Sequence, residues 1–357
     1  MADIYNIDGH KLIWHLDRVS AWQEGKVIPP IYVEISPVSF CNHRCIFCGV
    51  DFAMQKLKLE TVLLCERLKE MGRLGVRSVM FAGEGEPLLH PDLPLIVRTA
   101  KESGIDISIT TNASLGNRHI WSEILPYLTW VKFSIDAGSA DIYSAVRNVP
   151  EEVFDKTLQS IRESVQVKNE RHLDVTMGVQ FLLIDENKDD VRNALEIFSG
   201  LGIDYFVIKP YSLHPRMLNK KEMEYTRDML DNLEQMADKY RDNHGMTIVF
   251  RKGAFETYMK GEKNFSNCNA LPFWGHISAN GDFYTCSVFL GDDRFRAGNI
   301  YTDNMQKIFY GPKRRCSIQY GRETLVIGSE CRVNCRMARV NEFLDSLRNA
   351  PMHINFV

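Results

Sequence analysis

From residue 31 to about 245 the chain alternates short β-rich runs with amphipathic helical runs, and that alternation decides its fold class. Ile31-Tyr32-Val33-Glu34-Ile35 alternates like a strand, and further strands are expected at 77–81, 105–111, 130–135, 173–183 and 205–208. Helical periodicity fills 57–74, 93–103, 117–127, 139–169 and 189–200, and a polar-faced helix covers 220–241. Strands alternating with helices make βαβ units and a parallel sheet. Six such units predict an α/β protein with a partial (β/α)6 TIM-like barrel, whose reactive residues sit where strands end. After residue 246 helical periodicity fades and glycines and aromatics crowd together, which predicts a small α+β domain over 246–357. Residues 1–30 read as a cover segment. Its helix-like stretch from Lys11 to Trp22 offers Trp14, Leu16, Val19 and Trp22 as an apolar face.

Composition narrows the function. A chain of 357 residues with 45% apolar residues suits two domains with a sizeable core. The net charge is -3 and both signs are mixed, so no basic nucleic-acid footprint exists. The start, Met1-Ala2-Asp3-Ile4-Tyr5, lacks the pattern of a secretory signal, and no apolar run reaches the length of a membrane span. A cytoplasmic location is expected. Thiols stay reduced there, so nine cysteines point to metal ligation more than to disulfides. Cys65 shares a helical stripe with Leu64, Leu68 and Met71 and reads as a packed structural thiol.

Three cysteines fall within Cys41-Asn42-His43-Arg44-Cys45-Ile46-Phe47-Cys48, at spacing Cys-x3-Cys-x2-Cys, just after the first strand. Thiolates hold iron–sulfur clusters, and three of them leave one iron of a 4Fe–4S cube open to a small molecule. A zinc site with His43 as fourth ligand is the alternative, although zinc more often takes paired Cys-x2-Cys knuckles. The spacing, with an aromatic before the third cysteine, resembles the signature of the radical S-adenosylmethionine (SAM) enzymes. The resemblance implies that SAM binds the open iron and is cleaved to methionine and a 5′-deoxyadenosyl radical, which abstracts hydrogen from substrate. It also implies an electron donor of flavodoxin or ferredoxin type.

The second strand ends in Ala82-Gly83-Glu84-Gly85-Glu86-Pro87. Glycines allow close backbone approach, and a glutamate suits an ammonium group. The family's Gly-Gly-Glu-Pro motif holds the SAM amine; Gly85, Glu86 and Pro87 match it, and Glu84 departs. The third strand ends in Thr110-Thr111-Asn112 and the fourth in Ser134-Ile135-Asp136. Such groups can bond a ribose diol, which makes Asn112 a candidate cofactor contact, and the resemblance implies Ser134 and Asp136 near the SAM ribose or carboxylate. It further implies Arg147 on the SAM carboxylate, where a planar guanidinium fits, and Phe47 beside the adenine. Capping, solvated or core-filling roles are the alternatives. The sixth strand runs into Lys209-Pro210-Tyr211-Ser212-Leu213-His214-Pro215-Arg216, a polar mouth suited to an anionic or hydroxyl-rich substrate. Lys209 and Tyr211 are the candidate proton partners.

The late cysteines form a second group. Ile277 to Cys286 reads as a hairpin turning at Asn280-Gly281. Cys268, Gly281 and Cys286, with Cys331-Arg332-Val333-Asn334-Cys335 and Gly298-Asn299-Ile300, resemble the SPASM and twitch auxiliary-cluster domains. A full SPASM pair is absent, since Arg322 and Leu325 stand where two further cysteines are expected. The resemblance implies one auxiliary 4Fe–4S cluster on Cys268, Cys286, Cys331 and Cys335, with Cys316 spare; four-cysteine zinc is the alternative. Only about thirty residues precede the barrel, too few for a leader-binding domain. The expected substrate is therefore a small hydroxylated molecule, such as a sugar, sugar nucleotide or aminocyclitol, that is dehydrogenated, epimerised or eliminated. Peptide or protein modification is one rival, and a non-catalytic Fe–S or zinc protein another.

Overall fold

The expected alternation is realised as one ten-stranded sheet in the computed structural model, which describes residues 4–7, 9–220, 223–241 and 245–356. The strands are β1 (Tyr32–Ile35), β2 (Ser78–Phe81), β3 (Asp106–Thr111), β4 (Leu128–Ser134), β5 (Thr176–Leu183), β6 (Tyr205–Pro210), β7 (Thr247–Phe250), β8 (Trp274–Ile277), β9 (Asp282–Tyr284) and β10 (Arg296–Asn299). Their order is β10-β9-β8-β1-β2-β3-β4-β5-β6-β7. β1 to β7 pair in parallel, β8 joins β1 in parallel, and β9 and β10 complete an antiparallel hairpin and edge. The result is a partial barrel with edges at β7 and β10.

The expected six units are seven. β7 is a Thr-Ile-Val-Phe run buried at every residue, so it lacks the alternation that betrays a half-exposed strand. The boundary expected near 245 borders residues 242–244, which lie outside the described residues, and the sheet continues beyond it through β7 and β8.

Register separates two faces. Val33, Val79, Ile107, Val131, Val179 and Phe206 belong to one continuous apolar core that also takes in the helices. The helix Thr61–Arg73 shows why the elements form. Glu60 caps it by accepting from the Val62 and Leu63 N–H groups, Leu64, Leu68 and Met71 are buried at helical spacing, and the chain leaves through Gly75 at φ +88°. Cys65 packs against the same core, half-buried.

The opposite face lines the barrel and is polar. Pairing sets Glu34 beside Met80, Thr110 beside Lys132, Ser134 beside Gln180, and Leu182 beside Lys209. Tyr5 and Ile7 pack on Tyr205, Val207 and Val249, so the amino-terminal segment closes the floor.

The cover segment packs only half of the expected face inward, Val19 and Trp22 but not Trp14 or Leu16. Residues Leu12–Trp14 form a 3-10 turn and the helix begins only at Leu16. That change of period rotates the stripe. Leu12 and Val19 are buried with Ile28, Ile31, Phe273 and Leu344, whereas Trp14 is 78% and Leu16 64% exposed.

Candidate functional site

The Cys41–Cys48 loop leaves the carboxyl end of β1 and is fastened to the end of the helix Ala140–Arg147. Arg44 N–H donates to the Arg147 carbonyl and Ile46 N–H to the Val146 carbonyl, each at 3.1 Å. Cys48 N–H closes a tight turn on the Cys45 carbonyl. The sulfurs collect donors: the His43 N–H at 3.4 Å and Asn112 Nδ2 at 3.8 Å on Cys41, and Arg147 Nη1 at 3.3 Å on Cys45. Burial pushes the Cys41 thiol up to about 11 and Cys48 up to about 12, so both stay protonated until a cation binds. Half-buried sulfurs with aimed N–H donors fit a 4Fe–4S cluster. His43 shares a hydrogen bond between Nε2 and Ser114 Oγ at 3.1 Å.

The strand ends that follow meet this loop. Glu86 accepts from Thr111 Oγ1 at 2.6 Å, Asn112 N–H at 2.8 Å and Leu88 N–H at 3.1 Å. Burial still pushes its carboxyl upward. Pro87, buried, opens the 3-10 turn Pro87–Leu89. A Cβ on Gly85 would come within 2.4 Å of the Phe40 carbonyl, so glycine lets the β2 turn touch the cysteine loop. Glu84, the departure from the family motif, points the other way. Its Oε2 accepts the Ala279 N–H at 3.0 Å, and its Oε1 lies 3.9 Å from His276, so it ties the barrel to the β8–β9 hairpin.

Arg147 is engaged within the protein. It pairs with Asp136 at 2.5 Å, donates to the Ile135 carbonyl and Cys45 Sγ, and lies 5.3 Å over the Phe47 ring. Asp136, at φ +61°, also accepts the Leu182 N–H at 2.5 Å. Asp136, Arg147, Phe47 and Cys45 therefore make one buried chain beside the loop. Ser134 stands one residue pair below it, half-buried on the barrel face.

Among the late cysteines, Cys268, Cys286, Cys331 and Cys335 line a single small cavity of about 10 Å³, with Phe265, Trp274 and Phe289 among its apolar walls. Asn341 Nδ2 donates to Cys268 Sγ at 3.8 Å and Met337 N–H to Cys335 Sγ at 3.3 Å. Burial pushes Cys268 up to about 12. Four thiols around an apolar void fit a fully ligated cluster. Among the described residues no three His, Cys, Asp or Glu side chains converge as a single metal ion requires. Cys316 is exposed, beside Asp293, Lys313 and Tyr320, away from this cavity.

At the mouth the two residues proposed as proton partners part company. Lys209 faces the barrel, and burial with the nearby Lys132 and Arg251 charges holds it well below the usual lysine range. Tyr211 is wholly buried and its hydroxyl donates to Met217 Sδ at 3.2 Å. A tyrosine after a polar strand end looks solvent-facing in sequence, but the turn at 211–217 folds it into the core. Sequence reasoning missed Lys132, although its alternation with Val131 and Phe133 marks it as a barrel-facing position. It also missed Arg336, which follows Cys335 and pairs with Glu34 on β1 while donating to the Tyr32 hydroxyl at 3.2 Å. Asn334 adds a link, its carbonyl accepting from Ser212 Oγ at 3.1 Å. The late cysteine loop thus closes one side of the barrel.

Residues 35–198 match the Radical SAM superfamily. That stretch is a radical SAM domain, of a superfamily of enzymes that use a 4Fe–4S cluster and SAM. Among curated relatives, the GTP 3′,8-cyclase of Chlorobaculum tepidum is 25% identical over 268 residues, 71% of this chain and 78% of that protein. The probable GTP 3′,8-cyclase of Saccharolobus solfataricus is 27% identical over 259 residues, 69% of this chain and 79% of that protein. Among solved structures, Streptococcus suis SuiB bound to precursor peptide SuiA has a TM-score of 0.67 at 17% identity, covering 94% of this chain and 77% of its own. Native anSMEcpe with bound AdoMet has a TM-score of 0.62 at 18% identity, covering 88% of each chain. These structural likenesses establish the fold. No described helix is long and apolar enough to cross a membrane.

Proposed function

We propose that this radical SAM enzyme holds its SAM-cleaving cluster on Cys41, Cys45 and Cys48 and acts on a small hydroxylated substrate of nucleotide or sugar-nucleotide type. When bound, the reduced cluster with SAM supplies a 5′-deoxyadenosyl radical for hydrogen abstraction. The observation that carries the reading is the loop itself: three thiols at the carboxyl end of the barrel, with N–H donors on two of them, opening onto a polar, cationic barrel face. The curated relatives are GTP 3′,8-cyclases by name, which supports a nucleotide over a peptide.

The chain's own residues have definable tasks. The Arg147 and Val146 carbonyls hold the loop backbone, and Asn112 and Arg147 stabilise thiolate character on Cys41 and Cys45. Glu86 orients the Asn112 backbone, and Gly85 keeps the β2 turn close enough for a SAM amine to approach. Asp136 balances the Arg147 charge. Ser134 and Lys209 face the space where substrate would sit. Cys268, Cys286, Cys331 and Cys335 would hold one auxiliary 4Fe–4S cluster, and full ligation suits it to electron transfer. A flavodoxin- or ferredoxin-type protein is proposed as electron donor.

The test is direct. Anaerobically reconstituted protein, reduced with dithionite and given SAM, is expected to release 5′-deoxyadenosine, measured by chromatography. Intact clusters with no release would overturn the reading.

A further inference from the structure

A separate cavity of about 300 Å³ lies between the end of the cover segment, the turn before β8 and the helix Pro312–Glu323. That volume is at the lower end of the range of small-molecule sites. No residue of β1 to β7 lines it, so it stands apart from the barrel. Cys268 lines both this cavity and the small one of the late cysteines, but Cys286, Cys331 and Cys335 line only the small one. Lys26, Arg314, Arg315 and Arg322 line the larger cavity, and among the described residues no Asp or Glu does. Two of these cations are compensated at the surface, Lys26 by Glu24 and Arg322 by Glu323.

The other two are not. Arg314 is wholly buried, and its Nη atoms donate to the Ile28, Phe309 and Pro272 carbonyls at 2.7 to 2.9 Å, with no carboxylate in ion-pair reach among the described residues. Its Nε has no hydrogen-bond partner. Asn269, 2% exposed, carries a second such donor. Its Oδ1 accepts from Arg348 Nη1 at 3.1 Å, which fixes the amide and leaves Nδ2 unpaired. Buried donors are rarely left unpaired, because burial strips their water. Here two of them belong to residues that line one cavity. Arg315 is exposed, and its side chain makes no hydrogen bond or ion pair among the described residues.

We propose that this cavity binds a small organic oxyanion, a carboxylate or a phosphate. Its head takes the unpaired donors of Asn269 and Arg314 and the free guanidinium of Arg315, and its body lies on Trp22 and Ile318, which line the same cavity. Charge sets the class. A water satisfies a donor but brings no charge against the buried Arg314, whereas an oxyanion does both. A cationic ligand finds no carboxylate on the walls and is repelled. Size and lining set the body: an inorganic ion leaves most of the cavity empty, and the apolar side chains suit a hydrocarbon group. The site is independent of what the barrel binds.

The experiment is calorimetric titration of the anaerobically reconstituted wild-type holoenzyme with benzoate, phenyl phosphate, benzyl alcohol and benzylamine, which share a ring and differ in head group. Benzoate and phenyl phosphate are expected to bind saturably and to weaken with added salt, with benzyl alcohol and benzylamine at least about tenfold weaker. Arg315→Glu and Asn269→Asp are each expected to weaken the anions by about tenfold or more. Lys313→Glu, on the same helix but outside this cavity, is expected to leave them unaltered. Arg315 is exposed and has no partner to lose, so its variant keeps the fold even if Asn269→Asp does not. Binding of one anion alone sustains the proposal and names the head group. No saturable binding of either, the result for a cavity that holds only water, overturns it. So does equal binding of benzyl alcohol or benzylamine, unchanged binding in Arg315→Glu, or an equal loss in Lys313→Glu.

Discussion

Arg147 shows how much one side chain can carry. Removing it as Arg147→Met leaves Asp136 buried and unpaired, so a loss of about 3–5 kcal/mol is expected. Asp136→Asn combined with Arg147→Met should recover part of that loss, and a double-mutant cycle by urea denaturation measures how much. His214 supplies a pH dependence. It is buried against Phe52, its Nδ1 accepts the Arg216 N–H, and burial with the Arg332 and Arg216 charges pulls it down to about 4. The folded value lies below the ordinary 6.5, so the neutral ring's contribution is complete above pH 6.5 and is lost as pH falls through 4. Between pH 7.5 and 5 the wild type should lose about 2 kcal/mol more than His214→Gln, measured by denaturation at both pH values.

Strand ends and the turns after them are the elements that make the site. The β2 turn touches the cysteine loop through Gly85, and Gly83, at φ +110°, sits where a Cβ would come within 2.1 Å of Ser36 Oγ. Gly85→Ala should push the loop off the Phe40 and Val38 carbonyls. Lower iron content after reconstitution, with little change in far-ultraviolet circular dichroism, is the expected result; wild-type iron content would show that the loop tolerates the methyl group. Gly83→Ala adds left-handed strain to a similar clash and should cost roughly 1–3 kcal/mol in denaturation. These turns were legible in sequence as glycines after a strand. The inward turn of Tyr211 was not, because local pattern cannot say that Met217 lies within reach of its hydroxyl.

The two cysteine groups become one molecule through the sheet. β8 pairs with β1, and Arg336 reaches Glu34, so the late domain is built onto the barrel wall. Each group has its own ligands all the same. Cys331→Ala with Cys335→Ala should lower iron from about eight to about four per chain while the first cluster keeps its SAM-dependent electron paramagnetic signal. About eight irons in that variant would remove Cys331 and Cys335 from the ligand set. Helix and strand periodicity disclosed most of the barrel; β7 escaped because a four-residue strand buried on both faces has no alternation to read.

What the sequence determined by itself was chemistry of local spacing: Cys41, Cys45 and Cys48 within one loop, Gly85-Glu86-Pro87 after a strand, and the parallel barrel that places both at the same end. Only the tertiary structure decided which distant groups meet. It gathered Cys268, Cys286, Cys331 and Cys335 around one void and set Cys316 apart. It gave Arg147 to Asp136 and Cys45, and set Lys132 beside Gly178 and Lys209 beside Leu182 on the barrel face. Period and spacing are properties of neighbours along the chain, whereas charge balance and burial depend on strand register, which only the folded sheet sets.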